Sequence, residues 1–177
     1  MTSPPDREGP NEQDLELLSR LEEIYATGAL LTPADRAALV VAGELGSVSA
    51  DAAFVATVSD DGARIEVSRV TPGSEGPVHL AFPLNAPYPL AAVLRRPAAM
   101  FIESNHQLAC DHPGMVRVDA ADHACATIPL RGADERLIGA LNLGFDTPHA
   151  FSEAERAAIE LVAERCADAL EQALAAA

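Results

Sequence analysis

Apolar residues recur three and four apart at Leu17, Leu18, Leu21, Ile24 and Tyr25. That spacing predicts a helix over residues 15–28 with a single apolar stripe, ending near Gly28. A second helix is announced by Thr32-Pro33-Ala34-Asp35, in which Thr32 caps, Pro33 takes the first helical position and Asp35 completes a box of the Thr-x-x-acid kind. It is expected to close at Gly46. The period then drops to two. Residues 52–59 and 64–72 read as strands joined across Ser59-Asp60-Asp61-Gly62, and residues 78–84 as a third strand. Residues 87–96 suit a short helix and 98–104 a fourth strand. Residues 105–120 hold no clear period and contain Pro113-Gly114, so they are expected to be a loop with a helical turn near 107–110.

The most ordered pattern lies between residues 121 and 145. Two strand-like runs of about nine residues, too short for average helices, meet across a polar turn at 131–135 and predict a hairpin at the centre of a sheet. Pro148 ends the second run. Ser152 and Glu155 then form a reciprocal capping box that opens a helix over residues 153–174. Ile159, Val162, Cys166, Ala169 and Ala173 give that helix a narrow, alanine-rich seam, expected to pack closely on the first helix. Residues 1–12, rich in Pro, Gly and charge, are expected to be a disordered tail, and residues 13–177 a single domain.

Charge changes the picture more than composition does. Twenty-seven acidic residues stand against twelve basic ones, a formal charge of −15, and there is no basic stripe to attract a phosphate backbone. Nucleic acid and anionic membrane are therefore excluded as partners. No apolar run reaches the roughly 20 residues that span a bilayer, and the opening residues have no signal-peptide core, which predicts a cytoplasmic protein. Three cysteines, Cys110, Cys125 and Cys166, do not suggest a disulfide framework.

Candidate chemistry gathers in one short stretch. His106, Cys110, His112, His123 and Cys125 are donors of the kind that hold zinc or iron, but their spacing matches no zinc motif. The plainer reading makes Cys125 a small buried apolar residue and leaves the histidines solvated or hydrogen-bonded. Strand alternation places His123, Cys125 and Thr127 on one face and Ala124, Ala126 and Ile128 on the other. No serine-nucleophile elbow, phosphate-binding glycine loop, HExxH or paired CxxC motif occurs.

The run HACATIPLRGADERLIGALNLGF, followed by FSEAERAAIELVAERCADALEQA and preceded by PLNAPYPLAAVLRRPAAMFIES, resembles the GAF domain from about Leu15 onward. The version here looks most like the GAF domains of bacterial signalling phosphatases and histidine kinases. The resemblance implies an α+β fold: a central antiparallel sheet of about six strands, terminal helices on one face and a ligand pocket on the other. It would place that pocket under residues 87–96 and 105–120, with Phe82, Phe101, His106, Cys110, His112, His123, Cys125 and Thr127 as candidate ligand-binding residues. The ligand and any cofactor stay unidentified.

The resemblance further implies a regulatory protein, a homodimer through its first and last helices, acting in trans on an effector such as a phosphatase or kinase. Two alternatives accompany it. Free methionine sulfoxide reductases also have this fold and use cysteine thiolates, which would make Cys110 or Cys125 the nucleophile; here no cysteine precedes Cys110. The other is a ligand-free interaction module whose pocket is filled by Phe82, Phe101 and Met100. Bilin binding at Cys110-Asp111-His112 would want an aromatic lining, which a chain 4% aromatic lacks. Cyclic-nucleotide GAF domains resemble one another in an Asn-Lys pair, where this chain has Asn142-Leu143.

Overall fold

The computed structural model describes residues 31–117 and 119–177. The expected tail and first helix lie outside them. In chain order the elements are helix α1 (Pro33–Ala42), a 3-10 turn (Leu45–Val48), strands β1 (Ala52–Val58), β2 (Arg64–Val70) and β3 (Val78–Pro83), helix α2 (Pro89–Arg95), strand β4 (Met100–Ile102), helix α3 (Asn105–Asp111), strands β5 (Ala124–Arg131) and β6 (Leu137–Phe145), and helix α4 (Glu153–Ala175). The strands form one antiparallel sheet in the order β3-β2-β1-β6-β5-β4. The fold is α+β.

Local chemistry sets the boundaries. Thr32 Oγ1 accepts from Asp35 N while Asp35 Oδ2 accepts from Thr32 N, so the box at the start of α1 is closed in both directions. Ser152 and Glu155 close the same box at the start of α4. Helix α1 stops earlier than expected, at Gly43, and the chain continues as the 3-10 turn to Ser49, whose φ of 55° lies in the left-handed region. The fourth strand is three residues long: Pro97 has no N–H for a ladder, and Ala98 and Ala99 are exposed. The loop expected after it contains a full helix, α3, whose first turn is held by Ser104 Oγ accepting from Gln107 N.

The sheet has two differently built faces. On one, the helix face, Ala53, Val55, Ala124, Ala126, Ile128, Leu141, Leu143 and Phe145 pack against Ala37, Ala38 and Val41 of α1 and Ile159, Val162, Cys166 and Leu170 of α4. Described contacts thus pair α4 with the second expected helix. Close approach is required: a Cβ on Gly139 would lie 2.6 Å from the Ala56 carbonyl oxygen and 2.9 Å from Leu170 Cδ2. Each fully buried large apolar side chain here contributes about 1.5–3 kcal/mol. On the other, the far face, Phe54, Ala56, Ile65, Val67 and Ala140 are covered by Leu90, Ala91, Val93 and Leu94 of α2. A smaller apolar group of Ile102, Leu108 and Cys125 continues that face under α3.

Candidate functional site

The far face becomes polar at the end covered by the connection between α3 and β5. The ladder aligns Arg69, Phe54, Asn142, Thr127 and Met100 across five strands, and the next rung runs Ala52, Gly144, Cys125 and Ile102. Thr127 and Asn142 are buried, and Thr127 Oγ1 donates to Asn142 Oδ1 at 2.7 Å. That pair is self-contained. Three groups above it are not.

Asp122 is 3% exposed, and its carboxyl group rests directly on Gly144: a Cβ there would lie 2.4 Å from Asp122 Oδ2 and 2.5 Å from Oδ1. Among the described residues no hydrogen bond reaches that carboxyl group. Burial, reinforced by the charges of Asp119 and Asp146 and only partly offset by Arg117 and Arg69, pushes its pKa up to about 7. Beside it on the β5 side, Arg117 donates from Nε to Asn105 Oδ1 and from Nη2 to the His123 carbonyl at 2.7 Å, while its Nη1 is buried without a partner. On the β1 side the Arg69 guanidinium stands 5.6 Å from the Phe54 ring centroid and gives Nη2 to Asp119 at 2.9 Å, leaving Nε buried and unpartnered. Arg69 over Phe54 thus stands one rung away from Asp122 over Gly144 and Arg117 beside Cys125.

The sequence-predicted residues separate into several places. Cys125 and Thr127 do face away from α4, within this polar end. Cys125 is 3% exposed and its thiol is pushed up to about 11 by burial, so it is protonated at neutral pH. His123 lies just before β5, exposed, with Nδ1 3.3 Å from Asn105 Nδ2. His106 and Cys110 sit one turn apart on α3, exposed, with Sγ 3.7 Å from Nε2. His112 caps the end of α3 and, with Arg95, Arg96 and Met100, lines a cleft of about 500 Å³ beside β4. Phe82 lies on the far face with its ring 4.7 Å from Tyr88. Phe101 instead packs on the helix face, edge-on to Phe151 and under the Arg156 guanidinium, because it alternates with Met100 and Ile102. Among the described residues no three His, Cys, Asp or Glu side chains come together in a way that could hold a metal.

A second buried polar cluster lies on the helix face. Asp35 Oδ1 accepts from Ser68 Oγ at 2.6 Å and lies 2.7 Å from His79 Nε2. Burial alone would raise its pKa, but the hydrogen bonds from Ser68, Thr32 and His79 outweigh it and hold the carboxyl below its usual range. Ser68 bonds to the carboxylate rather than to the imidazole, so this is a buttress between α1 and the β2–β3 edge and not a nucleophile with its base.

Asp122, Arg69 and Arg117 escaped sequence reasoning. Asp122 and Arg117 lie in a stretch without period, and Arg69 alternates correctly within a strand, which says which face it takes but not what it meets there. The one available signal was Gly144, one of the two glycines of β6, at a far-face position.

A six-stranded antiparallel sheet with helices on both sides defines a class of α+β domain. The sequence profile of the GAF domain matches residues 34–171, and the chain belongs to that family. Among solved structures it is similar to the GAF domain of an Acinetobacter phosphoenolpyruvate-protein phosphotransferase, with 16% identity, TM-score 0.64, and coverage of 94% of this chain and 98% of that one. It is also similar to the second GAF domain of DevS from Mycobacterium smegmatis, at 18% identity and TM-score 0.58 over 81% and 96% of the two chains. A type II free methionine-R-sulfoxide reductase from Thermoplasma acidophilum matches at 12% identity and TM-score 0.56 over 78% and 96%. No curated protein sequence matches. At these identities the likeness shows the fold alone, and the fold serves regulators and an enzyme alike. Among the described residues no helix is long and apolar enough to cross a membrane.

Proposed function

We propose that this chain is a small-molecule-sensing regulatory domain whose ligand occupies the polar end of the far face, and that it reports occupancy in trans to a signalling effector of the kinase, phosphatase or phosphotransferase kind. The observation that carries the reading is a pair of buried donors, Arg69 Nε and Arg117 Nη1, that have no partner among the described residues and lie near the buried Asp122 carboxyl group. A buried donor left without a partner costs about 1–3 kcal/mol, so a ligand or water that paired with it would be stabilising. Resemblance to GAF domains of a phosphotransferase and of DevS supports the regulatory role.

The route of the signal follows from connectivity. β5 begins directly after Asp122 and His123, runs through Cys125 and Thr127, and is paired along its whole length to β6, which leads into α4. A ligand that binds one arrangement of the far face better than another biases α4 by that difference in affinity. Pairing of two copies through the terminal helices gives an effector a surface on which to read the change. Thiol chemistry gains no support from the two buried cysteines, since Cys166 is pushed up to about 12 by burial and Cys125 to about 11. It would rest on the exposed Cys110.

The test is a metabolite screen by thermal shift, run in parallel on the wild type and on Arg117→Met. A compound that raises the wild-type melting temperature and has no effect on the variant supports a ligand at this site. A screen with no stabilising compound at millimolar concentration, or one whose hits act equally on both proteins, contradicts it.

A further inference from the structure

β3 is an edge of the sheet, and half of its backbone groups face away from β2. Leu84 N donates to Ala63 O one step beyond the Arg64–Pro83 pair, so the even-numbered residues of β3 spend their amides and carbonyls on β2. The odd-numbered residues turn theirs outward. Pro83 has no N–H and its carbonyl accepts from Ala86 N, and Pro77 has no N–H either. What is left is the N–H and C=O of His79 and of Ala81, both exposed residues whose outward groups have no backbone partner among the described residues. The other edge is closed: β4 is three residues long, Glu103 N donates to Gln107 Oε1 and Glu103 O accepts from His149 N.

The geometry points to a second copy of this chain as the partner of that edge, the two β3 strands running antiparallel about a two-fold axis at Leu80. In that register His79 stands opposite Ala81 of the second copy, and Ala81 opposite its His79. Each such pair exchanges two backbone bonds, so every outward group of His79 and Ala81 is used, and Pro77 and Pro83 end the ladder on both sides. The side chains fit the same axis. Leu80 lies beside its own copy on the far face, and Val78, at 53% the most exposed large apolar side chain among the described residues, lies against Phe82 of the second copy. On the helix face the small Ala81 leaves room for the opposite imidazole. Charge permits the approach: each copy carries −15, yet none of the 27 acidic residues lies between Val78 and Pro83. A six-residue strand buries too little for a permanent dimer, so the pair is expected to form at micromolar concentration and above. The pairing is independent of the sensing role.

Sedimentation velocity across a concentration series tests it. The wild type is expected to approach twice the 18.5 kDa chain mass as concentration rises. Ala81→Pro removes an outward N–H that β2 does not use, as Pro83 already does, and is expected to weaken the dimer about tenfold or more while leaving the circular dichroism spectrum unchanged. Leu80→Cys, made together with Cys110→Ser to remove the exposed native thiol, gives a second readout. Facing residues of the kind Leu80 forms with its copy bring their Cα atoms to about 4.5 Å, within reach of a disulfide, so mild oxidation is expected to give a covalent dimer. Should Ala81→Pro fail to fold, the cross-link decides. A wild type that stays monomeric at millimolar concentration, or the failure of Leu80→Cys to cross-link, overturns the β3 pairing. So does a dimer that a folded Ala81→Pro leaves intact, which would be held elsewhere, as through the terminal helices.

Discussion

Among the described residues two aspartates are buried, one on each face of the sheet, and they are in opposite states. Asp35, 0% exposed on the helix face, receives hydrogen bonds from Ser68 and the Thr32 amide and contacts His79, and it is held below its usual pKa. Asp122, 3% exposed on the far face, receives none from the described residues and is pushed up to about 7. Burial is common to both, so it does not decide the state. What decides is whether the fold supplies donors: a carboxylate with donors is a structural joint, and one without them is a place that waits for a partner.

The largest effect expected from breaking this contrast is at the satisfied site. Asp35→Ala opens half of the capping box of α1, the bond from Thr32 N to Asp35 Oδ2, and strands the Ser68 hydroxyl in the interior, which together should cost about 2–4 kcal/mol in chemical denaturation. A loss below 1 kcal/mol would show that the joint is not what fixes α1 to the β2–β3 edge.

At the unsatisfied site the same kind of substitution should act with the opposite sign. Asp122→Asn is expected to stabilise the protein by about 1–3 kcal/mol at pH 8, because it removes a charge that the far face does not solvate. The pH dependence follows from linkage. With a folded pKa raised to about 7 and an unfolded value near 3.8, the folded state holds the extra proton between those values, so wild-type stability falls as pH rises from about 4 to 7 and levels off above. Asp35, with its folded pKa lowered, contributes stability that is present above its unfolded pKa and lost as pH falls through the folded value. The variant's profile should lack the fall between pH 4 and 7 and keep the acid limb. A smaller effect is expected from Gly144→Ala, about 1–2 kcal/mol, since the clash is with the Asp122 carboxyl group and the loop that bears it can shift. Ligand binding should suffer more than stability in that variant.

Much of the fold was legible because it is written in local chemistry. Both capping boxes, the Ser59–Gly62 reversal and the alternation of Ala124, Cys125, Ala126 and Thr127 each depend on residues near one another in sequence. The site was less so. Cys125 and Thr127 could be assigned a face by period two, but Phe101 could not, since its strand is only three residues long and the alternation had no length to show itself. Asp122 stays invisible for a different reason: an aspartate in an aperiodic loop is ordinarily solvated, and only the fold brings it onto Gly144, Arg69 and Arg117. The histidines attracted attention as a cluster in sequence and are dispersed in space, on α3, at its end and before β5.

The central claim is that Asp122 is a buried carboxyl group to which no described residue donates a hydrogen bond. Carbon-detected nuclear magnetic resonance titration of the aspartate carboxyl carbons, assigned by loss of one signal in Asp122→Asn, tests it without reference to any ligand. The account predicts one aspartate titrating near pH 7 in the ligand-free protein. An Asp122 that titrates near or below pH 4 would mean that the carboxylate already has its donors or its water, and the argument for a ligand at this site would be lost.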